Sequence, residues 1–559
     1  MQFVLDIFIF LAQQMILAFF LFWLMWWLGP GRRRDWTTVP GLSWGRLVPI
    51  FASVFVLAAF TAIAAWYVTL EGFAGEVEPV VTSLSWQVQS GQTLYTTFEQ
   101  AERYSVLYGP SVFLTNGLFL HILGPSLVSA KIASALAAVG SLIFLYAALS
   151  PRRFDSVALV VTAGAALFYW AQGFAIYLVR PDALLVFALG LGFYAATRTS
   201  RWLAIFAVAV LAGFTINLKI HSLLYFLPVI VVLAQRLGLR AAIWALSGAA
   251  VVAVGPFVLY PQISAVNYLK WLSNEARHGF RLDLLVQPIG YTAFLGLPLV
   301  VLAWLRGARH EFLGAERPVV LSMLPAVVCA LVLSAKPGSG IVHLLPLVPS
   351  VMFVVGRLVR PLVADGLDIW DRRLMRSAAA AVVLTVLLAG SVNQYRASRL
   401  VNWQVEQIPG IVNDVEQIMD LYDGLPMAMA LGGEELWYRC TWYKPLLAFR
   451  DNPVLLDPIS VMDTVKSGKP LSAATYNALT EGRVALWLVP RSQAPFLKMS
   501  WYDPDVPIFP PDFVQHFHDC YTLRGQSRYF DLWFWNGLDP VPSASLASYE
   551  LRESENPKR

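Results

Sequence analysis

Long apolar runs separated by short arginine-rich loops constrain this chain more than any other feature of its sequence. Such runs are long enough to cross the ~30 Å hydrocarbon core of a bilayer as helices. Of the 559 residues, 57% are hydrophobic and only 14% are charged. The net charge of +5 is spread over the loops instead of forming one patch, which argues against nucleic acid as a partner. The chain is therefore predicted to be a polytopic α-helical membrane protein surrounded by membrane lipids.

The positions of the arginines predict which way the spans run. Cytoplasmic loops carry an excess of Arg and Lys, so Arg32, Arg33 and Arg34 place the loop after the first apolar run, at about 3–28, in the cytoplasm. The later arginine-rich loops are also cytoplasmic if the run 106–123 lies at the outer surface or re-enters it. If that run crosses the membrane, these loops lie on the outer side instead. The non-crossing alternative predicts about twelve spans within residues 1–392, including spans at about 47–70 and 127–149 and a last one at about 378–391. It also predicts a first periplasmic loop at 71–105.

Residues 393–559 have the pattern of a small extracytoplasmic α/β domain. The segments 427–431, 454–456 and 484–489 are typical of buried strands, and helical patterns at 412–421 and 473–479 lie between them. Cys440 and Cys520 both fall in this domain. In an oxidising compartment they could form a disulfide, although their sequence separation says nothing about their distance.

The first outer loop contains two acidic residues in the run Gly75-Glu76-Val77-Glu78-Pro79. A carboxylate in the low-dielectric setting of a membrane surface has a raised pKa, so either acid could act as a general base that deprotonates a hydroxyl. At the spacing i, i+2 on a helix the two side chains point in different directions, and only one is expected to face a site. The alternative is that both acids stabilise the N-terminus of the helix that follows.

Cationic side chains on the same side of the membrane suggest a phosphate site. Phosphate is bound well by Arg and Lys donors at the headgroup level. Each cation has an alternative role as an interfacial anchor, and Arg180 and Asp182 could form a structural ion pair. The loop 260–288 could cover the site and bind phosphate or sugar hydroxyls, or it could be an interfacial helix anchored by Trp271. The predicted donor phosphate-binding residues are Arg180, Lys219, His221, Arg277, Arg281 and Lys336.

The order of these motifs resembles the GT-C membrane glycosyltransferases over about residues 47–355. It is most similar to the bacterial relatives of protein O-mannosyltransferase and of the aminoarabinose lipid A transferase. The acidic pair is followed by Ser90-Gly91, by Leu94-Tyr95 and by a Tyr-Gly-Pro run that begins at Tyr108. The remaining matching stretches are 119–126, 131–136, 177–184 and 334–346.

The resemblance implies a glycosyltransferase that moves a sugar from a polyprenyl-phosphate donor to a hydroxyl of a cell-envelope acceptor. The acceptor would be lipid A or lipopolysaccharide, another glycan or a protein, at the periplasmic face of the cell inner membrane. It implies that Glu76 or Glu78 is the catalytic base. The family usually has Asp followed by Glu where this chain has Glu76 and Val77, so the choice between the two acids stays open. The implied substrate-binding residues are Tyr95, Tyr108, Asp182 and His343.

Two other classes of function stay open at this stage. A transporter or flippase for an anionic lipid-linked substrate would also need outer-side cations, although transporters tend to place polar breaks near the mid-membrane. A non-catalytic glycan-assembly factor would tolerate the loss of Glu76 and Glu78. The sequence indicates no cofactor, and a divalent metal stays an open alternative that no ligand pattern indicates.

Overall fold

The computed structural model describes residues 44–102, 107–150, 154–306, 314–364, 407, 409–434 and 438–538. The predicted first and last spans and the arginines at 32–34 lie outside these residues. Within the described residues, helices make up the chain as far as residue 364, and a small four-stranded sheet with further helices follows.

The part of the chain that ends at residue 364 consists of helices joined by short loops. Its described helices are α1 Trp44–Thr69, α2 Val77–Gln89, α3 Pro110–Leu123, α4 Leu127–Leu149, α5 Ser156–Trp170, α6 Pro181–Arg198, α7 Arg201–Ile216, α8 Ser222–Leu237, α9 Leu239–Leu259, α10 Ala265–Glu275, α11 Val286–Arg306, α12 Arg317–Ser334 and α13 Leu347–Ala364.

Six described helical segments are long and apolar enough to cross a membrane. These are Pro49–Thr69, Leu127–Leu149, Leu239–Leu259, Leu282–Val300, Gly314–Ser334 and Ile341–Arg360. The helices α3, α5, α7 and α8 are also apolar but shorter. The spans predicted at about 47–70 and 127–149 are therefore confirmed as long apolar helices, and the protein is a polytopic α-helical membrane protein.

Helices α4 and α6 pack closely at the centre of the bundle because small residues lie where they meet. A Cβ on Gly190 would lie 2.6 Å from the Ser141 carbonyl oxygen, so only glycine allows this approach. Close packing of small residues is a common source of stability where helices meet in lipid. On the other side of α6, the Phe193 ring stacks on Phe353 of α13 with centroids 4.3 Å apart. The start of α6, at Pro181, is thereby held in a fixed position.

The C-terminal part combines a mixed sheet with short helices. Strands β1 Met427–Met429, β2 Leu486–Pro490, β3 Tyr521–Gln526 and β4 Phe530–Trp535 lie in the order β1-β2-β4-β3. The β1-β2 pair is parallel and the other two pairs are antiparallel. The helices are α14 at residues 409–421, α15 Lys444–Ala448, α16 Pro458–Lys466, α17 Ala473–Thr480 and α18 Pro511–Cys520.

Most secondary structure predicted for the C-terminal part is found. The segments 427–431 and 484–489 contain β1 and β2, and 473–479 lies in α17. The strand predicted at 454–456 is wrong: these residues are buried but belong to no strand, and Leu456 has φ +55°, which interrupts an extended backbone. Cys440 and Cys520 are both free, so the structure contains no disulfide between them.

The C-terminal part contacts the helical part along a surface that we call the seam. The seam comprises α10, the loop 276–283 and the turn 335–340 on one side, with α16 and Tyr502 on the other. Asn274 Nδ2 donates to Ser467 Oγ at 2.9 Å. The backbone N–H of Arg281 donates to the Ala335 carbonyl at 2.9 Å, and its guanidinium donates to the Tyr502 carbonyl at 3.5 Å. The seam brings residues far apart in sequence beside the outer ends of the helices.

Candidate active site

A buried lysine fixes the start of the first outer loop. Lys131 of α4 donates from Nζ to the carbonyl oxygens of Tyr67 at 3.0 Å and Gly72 at 2.8 Å, and also to that of Leu70. These carbonyls include the orphan acceptors that every helix leaves at its C-terminus, here the end of α1. Sequence reasoning quoted Lys131 only as part of a motif. The signal that could have found its role is a lysine within an otherwise apolar helix.

Glu78 lies in the first turn of α2 and is fully buried. Its two carboxylate oxygens accept hydrogen bonds from the Tyr67 hydroxyl at 2.7 Å and from the backbone N–H groups of Ala74, Gly75 and Val179 at 2.8–3.0 Å. Burial raises the pKa of Glu78, and the Tyr67 and Val179 hydrogen bonds act against that rise. Glu78 therefore joins α1, α2 and the residues before α6, and its oxygens are already occupied.

Glu76 occupies a different environment two residues earlier. It is half-buried at the N-cap position of α2, yet its side chain makes no capping hydrogen bond. Its negative charge raises the pKa of the Arg180 guanidinium and that of the Tyr502 hydroxyl. The two acids thus point in different directions, as their spacing predicts, and Glu76 is the one directed toward a group of polar side chains.

Asp182 is the buried centre of that group. It lies at the N-terminus of α6, where Pro181 begins the helix. Lys219 Nζ, from the turn between α7 and α8, is 2.6 Å from Asp182 Oδ1, and Arg180 Nε is 3.5 Å from Oδ2. The ion pair proposed as the alternative role of Arg180 is therefore present. Because Asp182 balances one of these two cations, the pair of cations keeps one net positive charge.

Tyr108 lies above this charged group and is positioned by Tyr95. The Tyr95 hydroxyl donates to the Tyr108 carbonyl oxygen at 2.7 Å, and the Lys219 ammonium lies 5.8 Å from the Tyr108 ring centroid. Burial raises the pKa of Tyr108 to about 12, and the neighbouring Arg180 acts in the opposite direction. The Tyr108 hydroxyl is therefore protonated at neutral pH and can donate a hydrogen bond.

Gly109 allows the Tyr-Gly-Pro run to reach the turn between α7 and α8. A Cβ at position 109 would lie 2.3 Å from the Asn217 carbonyl oxygen. The Gly109 N–H donates to the Leu218 carbonyl at 3.0 Å, and Ser111 N–H donates to that of Asn217 at 2.9 Å. Glycine is needed here because the two backbones touch, and this contact places Tyr108 beside Lys219.

Two histidines border the same group. The ring centroids of His221 and His343 are 5.5 Å apart, and the His343 carbonyl accepts from the Tyr225 hydroxyl at 2.8 Å. Burial, with the nearby Lys219 ammonium, lowers the pKa of His221 to about 3. His221 is therefore neutral at physiological pH. It can form a hydrogen bond to a phosphate, but it does not supply the positive charge that the sequence suggested.

Buried polar atoms without a hydrogen-bond partner collect at this place. Buried polar groups are nearly always paired in folded proteins, so such a concentration marks a position for a polar ligand. Arg180 Nε and Asp182 Oδ2 have only their 3.5 Å ion-pair contact with each other, and the atoms His221 Nε2, Ser222 Oγ and His343 Nδ1 have no hydrogen-bond partner among the described residues.

The remaining predicted cations lie nearer to the seam. Lys336 Nζ is 3.4 Å from the carbonyl oxygen of Glu275, the residue at the end of α10. Arg281 pairs with Asp283 at 2.6 Å and is 46% exposed, and Arg277 is also exposed. Of the six predicted phosphate ligands, Arg180, Lys219 and His221 are brought together, Lys336 lies at the border, and Arg277 and Arg281 face solvent.

Sequence reasoning missed two polar residues at the seam, Asp463 and Tyr502. The hydroxyl of Tyr502 donates to Asp463 Oδ1 at 2.7 Å, and Asp463 in turn contacts Glu275. The charge of Glu275 raises the pKa of Tyr108, and the charge of Glu76 raises the pKa of Tyr502. No local pattern could have identified Asp463 and Tyr502, because only tertiary packing brings them near Glu76. Among the described residues, no three His, Cys, Asp or Glu side chains are arranged to hold a metal ion.

The chain shares its fold with solved GT-C membrane proteins. One solved structure that it resembles is ArnT from Cupriavidus metallidurans bound to undecaprenyl phosphate, with TM-score 0.53 and 12% identity over 88% of this chain and 99% of that chain. ArnT in the apo state gives TM-score 0.52 and 13% identity over 88% and 97%. No protein-family model and no curated protein matches the sequence. The resemblance drawn from the motifs is confirmed at the level of the fold.

Proposed function

We propose that this protein is a glycosyltransferase of the inner membrane that moves a sugar from a polyprenyl-phosphate donor to a hydroxyl of a cell-envelope acceptor. About twelve spans would carry the site, and the C-terminal domain from residue 393 would lie in the periplasm. The observation that carries the proposal is the group of unpartnered polar atoms around Arg180 and Asp182, with the Glu76 carboxylate acting on Arg180. The ArnT structure bound to undecaprenyl phosphate supports the choice of donor class.

The arginines at the opposite helix ends support the orientation. Arg198 Nε donates to the Ala148 carbonyl, Arg236 donates to those of Ala196 and Thr199, and Arg360 pairs with Asp155. These contacts join the ends of α4, α6, α8 and α13 that lie away from Asp182. Because basic loops stay in the cytoplasm, the Asp182 end would face the periplasm.

The proposed reaction is a displacement at the anomeric carbon. Glu76 accepts the proton of the acceptor hydroxyl while the acceptor oxygen forms a bond to the anomeric carbon. The bond between that carbon and the phosphate oxygen breaks, and its electron pair leaves with the polyprenyl phosphate. Arg180 and Lys219 together keep one net positive charge beside Asp182, and this charge stabilises the leaving phosphate in a site partly shielded from water.

Neutral hydrogen-bonding groups would orient the donor. The Tyr108 hydroxyl donates a hydrogen bond, while the rings of His221 and His343 supply the unpartnered atoms Nε2 and Nδ1. Tyr95 acts through Tyr108, whose carbonyl it holds. Glu78 would have a structural role in this scheme, since its oxygens already accept four different donors.

The test is mass spectrometry of cell-envelope lipopolysaccharide, capsule and lipid-linked sugars. Four strains are compared: one with the wild-type protein, one without the gene, one with Glu76→Gln and one with Glu71→Gln. Glu71 is an exposed acid on the same loop and serves as the matched control. We expect one sugar to disappear from the glycan without the gene and with Glu76→Gln, and to remain with Glu71→Gln.

Two results would contradict the proposal. Full restoration of the glycan by Glu76→Gln, at wild-type protein abundance, would remove Glu76 as the base and favour a non-catalytic assembly factor. A flippase would be indicated if purified protein in proteoliposomes moved the lipid-linked sugar across the bilayer without releasing polyprenyl phosphate.

A further inference from the structure

Two carboxyl groups meet inside the seam. Glu275 ends α10 in the helical part, and Asp463 lies on α16 of the C-terminal part. Asp463 is only 2% exposed, and its carboxyl group acts on that of Glu275 both as a charge and through a side-chain hydrogen bond. Two ionised carboxylates are acceptors only, so a hydrogen bond between them requires one proton.

Further hydrogen bonds hold Asp463 in place. Its Oδ1 accepts from the Tyr502 hydroxyl at 2.7 Å, and its carbonyl oxygen lies 3.0 Å from His278 Nε2. Ser467, the residue after α16, contacts both His278 and Asn274. The Tyr502 ring packs against Gly338, where a Cβ would lie 2.5 Å from it. The carboxyl pair is therefore the centre of a contact made by residues from both parts.

We propose that Asp463 is a positioning residue for the active site, and that it shares a proton with Glu275 to hold the C-terminal part against the end of α10. This inference rests on the proposed function only for its effect on transfer. The Glu275 carbonyl accepts from Lys336, and the Glu275 carboxyl group acts on Tyr108. Movement at the end of α10 therefore reaches two residues predicted to contact substrate.

The sign of the pH dependence follows from the environment of the pair. Burial, followed by the neighbouring Asp463 carboxyl group, raises the pKa of Glu275 well above its ordinary value of about 4.3. The seam is fully stabilised below that ordinary value. As the pH rises toward the raised pKa, the proton is lost, the two carboxylates repel, and the seam loosens.

Other titratable groups surround the pair and contribute to its titration. Lys336 is the cation that favours ionised Glu275, whereas the Asp463 carboxyl group opposes its ionisation. His278 Nδ1 lies 3.8 Å from Asp463 Oδ1 and would favour ionised Asp463 when protonated. The titratable and charged groups that act on the pair are Tyr108, Tyr268, His278, Lys336 and Tyr502.

The test is hydrogen exchange of the full-length protein in nanodiscs between pH 6 and pH 9, corrected for the intrinsic exchange rate. In the wild type we expect protection of 274–281 and 463–467 to fall at least ~10-fold over this range, the change that one unit of pKa shift produces. Asp463→Asn keeps an acceptor for Tyr502 and donates to Glu275 without sharing a proton. Because burial still raises the pKa of Glu275 in this variant, its protection should fall with pH, but less than in the wild type.

Tyr502→Phe is the matched control, since it removes a hydrogen bond to Asp463 but keeps the carboxyl pair. Its pH dependence should remain that of the wild type. If Asp463→Asn kept the wild-type pH dependence, or if the wild type showed none, the proposal would be overturned.

Transfer kinetics provide the second readout. The KM for the donor should rise with pH in the wild type more than kcat falls, and it should rise less in Asp463→Asn. A wild-type pH profile of KM in Asp463→Asn would contradict the positioning role. Hydrogen exchange does not depend on enzyme activity. If the proposed transfer activity were disproved, the exchange measurement would still test the carboxyl pair at the seam.

Discussion

Glu76 and Glu78 show how two equal side chains acquire different roles from their surroundings. Glu78 is enclosed by Tyr67 and three backbone N–H groups, so its carboxylate acts as a connector between segments. Glu76 makes no capping bond and acts on Arg180. A carboxylate that serves as a base must be directed at the substrate, which favours Glu76.

Replacing Glu78 by glutamine should destabilise the protein more than the same change at Glu76. The amide NH₂ of the new side chain would face backbone donors that now bond to an oxygen, and each unsatisfied buried donor costs about 1–3 kcal/mol. We expect the Tm of Glu78→Gln in detergent to fall by several degrees, and that of Glu76→Gln to stay near the wild type. An unchanged Tm with lost transfer in Glu78→Gln would instead give Glu78 a chemical role.

At the scale of elements, the first outer loop is attached to the bundle at both ends. Lys131 of α4 binds the carbonyls that end α1, and Glu78 binds the Val179 N–H before α6. Glu76 lies between these attachments. The position of the proposed base is therefore set by helices that belong to the membrane core.

Replacing Lys131 by methionine should release the end of α1. The change removes a buried ammonium and leaves the Tyr67, Leu70 and Gly72 carbonyls without their donor; a hydrogen bond to a charged group contributes about 1.5–3 kcal/mol. We expect a lower Tm and faster proteolysis within 70–78. Leu136→Met is the control, because Leu136 lies on the same helix and is 60% exposed in a lipid-facing direction. Equal proteolysis of the two variants would show that Lys131 does not anchor the loop.

For the whole molecule, the seam decides which residues surround Glu76. Tyr502 reaches from the C-terminal part to Gly338, which belongs to the turn that carries Lys336. The helical part alone would leave Glu275 without Asp463 and Glu76 without the nearby phenol. The two parts are therefore expected to act as one unit in transfer.

We expect the substitution Gly338→Ala to weaken the contact between the helical part and the C-terminal part. Gly338 has φ +81° and its added Cβ would meet the Tyr502 ring, whereas Gly340 has φ +68° and nothing within 4 Å of such a Cβ. Both Ala variants carry similar backbone strain, so their difference isolates the clash with Tyr502. We expect Gly338→Ala to increase hydrogen exchange at the seam and to lower transfer well below that of Gly340→Ala. Identical behaviour of the two variants would mean that Tyr502 docking is unimportant.

Much of the site could be predicted from the sequence, and the reasons are local. The spacing of Glu76 and Glu78 predicted that they point apart, and the Arg-Pro-Asp run predicted both the start of α6 and an ion pair. The charge on His221 could not be predicted, because its pKa depends on burial and on Lys219 from the same turn. The strand expected at 454–456 failed because the positive φ of Leu456 is not visible in an apolar triplet.

By itself, the sequence determined the membrane class, the position of long apolar helices and the GT-C resemblance, because hydropathy and motif order are properties of neighbouring residues. Only the tertiary structure decided that Glu78 is enclosed, that Lys131 anchors the first loop, and that Asp463 and Tyr502 join the site. These roles depend on hydrogen bonds between residues far apart in the chain, such as Asp463 and Glu275. Such contacts arise from packing and leave no periodic pattern in the sequence.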